Sequence, residues 1–395
     1  MPVRTALNLP RFWTARVVLM GVLALVLTMP PHDAAAIETS AREAILVDME
    51  TGAVLFEKNS DELMPPASMS KIMTSYLAFE RVQKGEASLD DEYEVSANAW
   101  RKGGAASGGS TMFLDVGQRV RLEDLLRGII VQSGNDASIV VAEGMAGSEE
   151  AFAEQMTDEA RRLGLNQTTF RNATGLPHPE HLTTARDLAN LARHTIVDHP
   201  EFYHYYAETE FTFNGIRQGN RNPLLYEKFG ADGLKTGHTQ AAGYGLTASV
   251  QRDDRRLILV LNGLPSMQSR ADESRKMFDY GFREFDNKVL ARAGTPVIDA
   301  EVWLGERGTV PLVVDGDWVV TMPRGARDDM RVSVVYDGPV PAPVEKGQPI
   351  GLLRVDVEGQ ESQEVPLLAA DAVPKLGLFR RLMFAVGYGV DRVLN

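Results

Sequence analysis

The sequence predicts an α+β fold: an antiparallel sheet plus a helical subdomain, followed by a small all-β sandwich domain and a C-terminal amphipathic helix. Three observations carry this. Ala44–Asp48 and Val54–Lys58 alternate as strands around the turn Glu50-Thr51-Gly52. The stretch from Leu122 to Ile196 is helical in period, as in Leu122, Leu125, Leu126, Ile129 and Ile130. Strand texture then returns in Gly233–Gly237, Gly243–Gln251 and Arg256–Gly263, with Asp253-Asp254 at a hairpin turn.

Between these blocks, Pro65-Pro66 break the chain and Ser68 is expected to open a helix running through Val82. A further helix over about Ser269–Phe285 closes the first domain. Beyond Asn287, short β runs recur at Val297–Leu304, Val310–Val314, Trp318–Met322, Met330–Tyr336, Pro349–Val357 and Glu364–Leu368. Gly, Pro and Asp punctuate them, and no catalytic constellation falls there, which suits a spacer or interaction module. The expected division is residues 1–36, 37–287, 288–373 and 374–395.

The two termini have their own patterns. Arg4, Arg11 and Arg16 precede the apolar run Val17–Met29, and Ala34-Ala35-Ala36 offers small residues before Ile37. That is the three-part arrangement of a secretory signal peptide, and the run falls short of the ~20 residues of a comfortable span. Residues 1–36 are therefore set outside the expected fold; the alternative is an uncleaved anchor. At the other end, a 100° projection of Leu376–Leu394 puts Leu378, Phe379, Leu382, Met383, Val386 and Val390 on one face. Arg380, Arg381, Asp391 and Arg392 fall on the other, as suits a helix lying in an anionic membrane surface. Packing on the protein's own core is the alternative.

Composition narrows the function classes. A net charge of −13 argues against nucleic acid as a partner. The absence of cysteine among 395 residues excludes a thiol nucleophile, a disulfide and a cysteine-based zinc site. The length suffices for two or three domains with full cores.

Three short elements carry chemistry. Ser68-Met69-Ser70-Lys71 is S-x-x-K at an expected helix start, and positions i and i+3 share a helix face. The Ser68 hydroxyl and Lys71 amine can then meet, and a desolvated lysine can take a serine proton near neutral pH. The helix N-terminus adds N–H groups that can stabilise an oxyanion. Ser133-Gly134-Asn135 is S-x-N in a break between helical segments; Ser96-Ala97-Asn98 has the same spelling without that context. Lys235-Thr236-Gly237 lies within an expected strand and is followed by His238. A regular strand would put Lys235 and Gly237 on one face and Thr236 on the other, and Gly237 would admit a close backbone approach by substrate.

These elements in this order resemble the signature of penicillin-binding proteins and class A β-lactamases. The chain resembles specifically the low-molecular-mass serine D-alanyl-D-alanine carboxypeptidases. The likeness rests on PPASMSKIMTSYLAFE, LLRGIIVQSGNDAS, EFTFNGIRQGNRNPLLY, DGLKTGHTQAAGYGLTAS and FDYGFREF. It runs from about residue 40 to 390 and includes the trailing β domain and terminal helix. The resemblance implies a β-lactamase/DD-peptidase-like catalytic domain and removal of the terminal D-alanine from peptidoglycan stems ending in D-Ala-D-Ala. A role in wall remodelling and cell shape goes with it, without cofactor or metal, as does covalent capture of β-lactam antibiotics.

It also implies roles for residues. Ser68 would attack the carbonyl and Lys71 would act as base, its pKa lowered by burial and by the field of Lys235. Ser133 would relay a proton to the leaving amine, and Asn135 would bond the substrate amide. Lys235 and Thr236 would hold the terminal carboxylate, and the N–H groups of Ser68 and His238 would form the oxyanion hole. Arg270 would bind carboxylate or make a structural salt bridge. The expected place of work is the periplasm, against the outer face of the inner membrane.

Rival readings are weaker. A zinc peptidase could use His178, His181, His194, His199 and His204, but H-E-x-x-H is missing. The glycine-rich stretch Gly103–Ser110 lacks the G-K-[ST] ending of a phosphate loop and is expected as a loop near the cleft. A β-lactamase would need a carboxylate-activated water, for which Glu180 is the one tempting residue. A non-catalytic wall-binding protein would not need Ser68, Lys71, Ser133 and Lys235 together.

Overall fold

The computed structural model describes residues 3–6, 37–328, 330–357 and 361–377. Its contacts divide the chain into two units, Ile37–Arg283 and a second formed from Glu284 onward with the N-terminal residues.

In the first unit a five-stranded antiparallel sheet has the order Val54–Lys58, Glu43–Asp48, Arg255–Leu264, Gly243–Arg252, Ala231–Thr239. The two N-terminal strands thus pair with strands some two hundred residues later, Val260 opposite Ile45 and Leu259 opposite Leu46. The strand Arg255–Leu264 is buried on both faces, and its unbroken apolar run shows it: Leu257, Ile258, Leu259, Val260 and Leu261 are at most 1% exposed. Asp253, at φ 53°, makes the expected hairpin turn.

Seven helices fill the rest: α1 Lys71–Gln83, α2 Ala97–Gly103, α3 Leu122–Ile130, α4 Asn135–Ala146, α5 Glu149–Arg162, α6 Ala185–Asp198 and α7 Met267–Glu284. Tyr76 and Phe79 of α1, Ile129 of α3, Phe152 of α5 and Leu188 of α6 meet in one apolar core with Ile45 and Val260 of the sheet. Burial on this scale, at roughly 1.5–3 kcal/mol per large side chain, holds α1 beneath the nucleophile's turn. Ser68 does not itself open α1: it sits in a 3₁₀ turn, Ala67–Ser70, just ahead of it. Unforeseen elements include α2 and the hairpin Glu210–Phe213/Ile216–Gly219. The Ser96 hydroxyl caps α2 by accepting from Ala99 N, and Asn98 Nδ2 donates to Glu143, so the second S-x-N spelling serves helix structure.

The second unit has separate apolar clusters, one around Ala300, Val310, Leu312, Leu353 and Leu367, another around Val320 and Met322. Its strands make one seven-stranded sheet and a two-stranded ladder of Phe285–Ala291 with Trp318–Pro323. The 285–291 strand places the division after Arg283 rather than after 287. Two further differences from expectation concern the termini. Val3–Ala6 pairs antiparallel with Arg331–Tyr336, although residues 1–36 were set outside the fold. A sheet edge offers a row of unpaired backbone groups, and this short extended segment takes them up. Lys375 bridges to Gly305 and Leu376 N donates to Leu304 O at 2.9 Å, so the stretch expected to begin a helix at 374 starts as part of the β unit. The apolar run Val17–Met29, Ala34–Ala36 and the tail from residue 378 lie outside the described residues. No described helix is long and apolar enough to cross a membrane.

Candidate active site

The nucleophile's turn is under backbone constraint. Ala67 has φ 48°, a left-handed value that an alanine adopts only when surroundings impose it. The surroundings are visible. Ser70 Oγ donates to Ala67 O at 2.9 Å, and His181 lies 2.7 Å from the same hydroxyl. His181 Nδ1 accepts from Arg171 N at 3.1 Å, so the ring's proton is on Nε2, which donates to Ser70. Burial, reinforced by His178, Lys71 and Arg171, pushes His181 down to about 3, so this ring is neutral at any working pH. The segment from Arg171 to His181 thus clamps the turn that holds Ser68.

The same segment shapes the base. Lys71 is 1% exposed, and its Nζ lies 3.1 Å from Ser68 Oγ, 2.8 Å from Asn135 Oδ1 and 2.5 Å from Thr174 O. A neutral amine has two N–H groups and one lone pair. The two carbonyl oxygens take the N–H groups, which leaves the lone pair facing the serine hydroxyl. Burial lowers Lys71 to about 7, and the nearby Arg221 cation adds to this, against the pull of Asp136 and Glu149. The depressing charge is therefore Arg221 and not, as expected, Lys235. Lys235, 3% exposed, is itself held well below the usual amine value, first by burial and then by Lys71, Arg221 and Arg270.

Ser133 and Asn135 stand where α3 ends and α4 begins. Ser133 has φ 60°, and its buried Oγ has no hydrogen-bond partner among the described residues. Such a group costs stability unless it has work to do. Asn135 N donates to Ser110 O at 2.8 Å. Next to it, buried Asp136 accepts from Thr111 Oγ1 at 2.6 Å and Met112 N at 2.8 Å, which ties the end of the glycine-rich stretch to the S-x-N turn. Gly108, Gly109 and Ser110 do line the cleft.

On the sheet edge, the strand Ala231–Thr239 brings Thr236, Gly237 and His238 all to the cavity wall. Thr236 and His238 lie on the cavity face while Lys235 does not line it and a Cβ on Gly237 would point at the Ala67 turn, so the alternation expected of a regular strand holds. Gly237 is required for a different reason than expected. A Cβ there would lie 2.9 Å from Pro66 O and 3.2 Å from Ala67 Cβ, so the close approach is by the nucleophile's own turn. His238 stacks on Tyr244 with ring centroids 3.9 Å apart.

Two cavities, each ≈ 410 Å³, open on Ser68. One includes Asn135, Thr174 and Leu176; the other includes Ser133, Thr236, Tyr244 and Arg270; Arg221 and Ser110 line both. Arg270 makes no ion pair among the described residues. It is 5% exposed, donates to Arg221 O at 3.2 Å, and its Nε has no partner. Burial lowers it to about 10, so it stays cationic at neutral pH. No carboxylate lines either cavity among the described residues, and Glu180 is turned to an ion pair with Arg171 at 3.1 Å.

Of the residues singled out by motif, Ser68, Ser133, Asn135, Thr236, Gly237, His238 and Arg270 line the two cavities, Lys71 bonds Ser68 and Asn135 behind them, and Lys235 is buried next to Thr236. Arg221, Tyr244 and the clamp by His181 were not singled out by motif. The five histidines scatter: His194 pairs with Asp198 at 3.0 Å, His199 packs on Tyr76, and His204 meets Glu201 O.

A half-buried serine beside a buried lysine, a second serine with a free hydroxyl and a cationic cleft define a serine acyl-transfer enzyme. Residues 30–265 match the D-alanyl-D-alanine carboxypeptidase family, and residues 285–375 match the C-terminal domain of penicillin-binding protein 5. The chain is 40% identical to D-alanyl-D-alanine carboxypeptidase DacC of Escherichia coli, over 87% of this chain and 86% of that one. Its fold is similar to penicillin binding protein 5 from Haemophilus influenzae, with TM-score 0.78, 35% identity and coverage of 86% and 99%. Penicillin-binding protein D2 from Listeria monocytogenes, solved in an ampicillin-bound form, matches 62% of this chain and 99% of its own at TM-score 0.55 and 29% identity. The chain belongs to the D-alanyl-D-alanine carboxypeptidase family.

Proposed function

We propose that the enzyme removes the terminal D-alanine from peptidoglycan stem peptides through an acyl-enzyme on Ser68. Lys71 takes the Ser68 proton as the hydroxyl attacks the carbonyl between the two D-alanines. The N–H groups of Ser68 and His238 receive the oxyanion, and Ser133 passes a proton to the departing amine. Asn135 bonds the substrate amide. Thr236, in the field of Lys235, holds the terminal carboxylate with Arg270 and Arg221, which suits the cations gathered on that side. Water then attacks the ester and releases the shortened stem.

The observation that supports this most is the pairing of Lys71 Nζ with Ser68 Oγ at 3.1 Å while two carbonyl oxygens occupy its N–H groups. A β-lactam presents a strained amide and a carboxylate in the same relation, and acylates Ser68. With no carboxylate along the cavities among the described residues to activate water, the adduct hydrolyses slowly, which separates this reading from a β-lactamase.

The site of action follows from the termini. Residues 1–36 direct export and are cut off, so the pairing of Val3–Ala6 belongs to the uncut chain. The basic amphipathic tail attaches the enzyme to the outer face of the cytoplasmic membrane.

The test is twofold. Benzylpenicillin should add its mass to the peptide containing Ser68, and Ser68→Ala should abolish both this and D-alanine release from a peptide ending in D-Ala-D-Ala. Fast nitrocefin turnover without D-alanine release would reverse the assignment.

A further inference from the structure

Close to the base stands a buried carboxylate that lines neither catalytic cavity, Glu149 at the start of α5. Its Oε1 accepts from Ala173 N at 3.3 Å, and its Oε2 lies 3.6 Å from Lys102 Nζ at the end of α2. Ala173 immediately precedes Thr174, whose carbonyl oxygen takes an N–H of Lys71 at 2.5 Å. The other side of the same residue is held from α1, where Thr74, one turn after Lys71, donates to Ala173 O at 2.7 Å. Asn172 Oδ1 adds to the hold by accepting from Thr174 N at 3.2 Å and Gly175 N at 2.7 Å. Together these bonds fix the direction in which Thr174 O points. Of the side chains that make them, only Glu149 is charged.

That charge gives Glu149 a second effect. Among the described residues, the charged and titratable groups about Lys71 are Arg221, Lys235, Asp136, Glu149 and the neutral ring of His181. Arg221 disfavours a protonated amine, whereas Asp136 and Glu149 favour it. Asp136 is already engaged in structure, accepting from Thr111 Oγ1, Met112 N and Leu114 N. Glu149 has only Lys102 and Glu150 as charged neighbours. Burial pushes its carboxyl up, and Lys102 and the Ala173 N–H hold it back; the start of α5 favours the anion as well. The Lys102 side chain is 48% exposed and that of Glu149 8%, so water screens the ammonium more than the carboxylate. We propose that Glu149 is a positioning residue for the base, one that aims Thr174 O at Lys71 and sets a buried negative charge against the Arg221 cation. The inference rests on the reading of Lys71 as the base.

The experiment follows acylation of the full chain by benzylpenicillin across pH in the parent and two variants. Glu149→Gln keeps an acceptor for Ala173 N and removes the charge; Glu149→Ala removes both. In each variant the midpoint should move to lower pH, because the protonated form of Lys71 loses a favourable neighbour. The rate at about pH 6, relative to each protein's own plateau, should then rise about 3-fold, the gain from half a unit on a limb that falls tenfold per unit. The plateau itself should drop about 5-fold further in Glu149→Ala than in Glu149→Gln, since only the alanine releases the Ala173 N–H. A residue that merely supports the fold would lower both plateaus alike and leave the midpoint in place, and either of these results overturns the proposal. Should Glu149→Ala not fold, the midpoint in Glu149→Gln decides alone. A parent profile that stays flat through about pH 7 would instead overturn the reading of Lys71 as the base, and this inference with it.

Discussion

Lys71 must be neutral to accept a proton, and its pKa of about 7 puts that requirement inside the physiological range. The sign follows directly. Below about pH 7 the amine is protonated and acylation falls about tenfold per unit; above it the rate levels off. Arg221 contributes to the depression, so Arg221→Gln should move the midpoint of the acylation profile to higher pH. Arg221 also lines the carboxylate side, so the height of the profile will drop too; the midpoint is the measurement that tests the field. An unmoved midpoint with benzylpenicillin as the probe would show that burial alone sets the base. The motif residues were legible because each spelling carries a geometry, as i and i+3 do for Ser68 and Lys71. Arg221 was not, although it stands inside a stretch that matched the family. A single arginine has no period and no partner spacing, and only the fold brings it near Lys71.

At the scale of elements, the segment from Arg171 to Leu182 controls both partners of the catalytic pair, through Thr174 O on Lys71 and His181 on the Ser68 turn. His181→Ala leaves Ser70 short of its donor in a buried place, at a cost of about 1–3 kcal/mol. The expected result is a roughly 10-fold slower acylation step with little change in the affinity of the preceding complex, and partial rescue by His181→Gln, whose amide can still donate. A loss in affinity with an unchanged acylation step would rule out a positioning role. Gly175 tests the same contact from the other side. It has φ +79°, and an added Cβ would fall 1.8 Å from Ala67 O. Gly175→Ala therefore cannot be absorbed by a side-chain shift and should destabilise the fold by more than about 1 kcal/mol in a thermal melt, with loss of labelling. This clamp was hidden from the sequence because it is built from backbone atoms and a neutral histidine. The helices between Leu122 and Ile196, by contrast, announced themselves by their 3.6 period, and the strand Arg255–Leu264 by its unbroken apolar run. The short strand at 285–291 did not: its residues are mostly half-buried, and it is defined by its partner Trp318–Pro323.

At the scale of the whole molecule, each unit has its own apolar core, so the catalytic site is assembled wholly within Ile37–Arg283. The tail is a separate question of attachment. On the tail helix proposed from the sequence, Leu378, Phe379, Leu382, Met383, Val386 and Val390 would fall on one face. Each would gain roughly 1.5–3 kcal/mol if fully withdrawn from water, less when only partly immersed. Arg380, Arg381 and Arg392 near anionic lipid add about 1 kcal/mol apiece. On the proposed reading these terms would suffice for reversible attachment without a spanning helix. Because Lys375 and Leu376 are hydrogen-bonded into the β unit, the clean cut is after Gly377. Deleting residues 378–395 should leave the β unit intact, free the enzyme from vesicles containing anionic lipid, and keep D-alanine release from small peptides at the parent rate. Sedimentation of the truncated protein with those vesicles would place the anchor elsewhere, and a fall in peptide turnover would mean that the tail supports the catalytic unit as well.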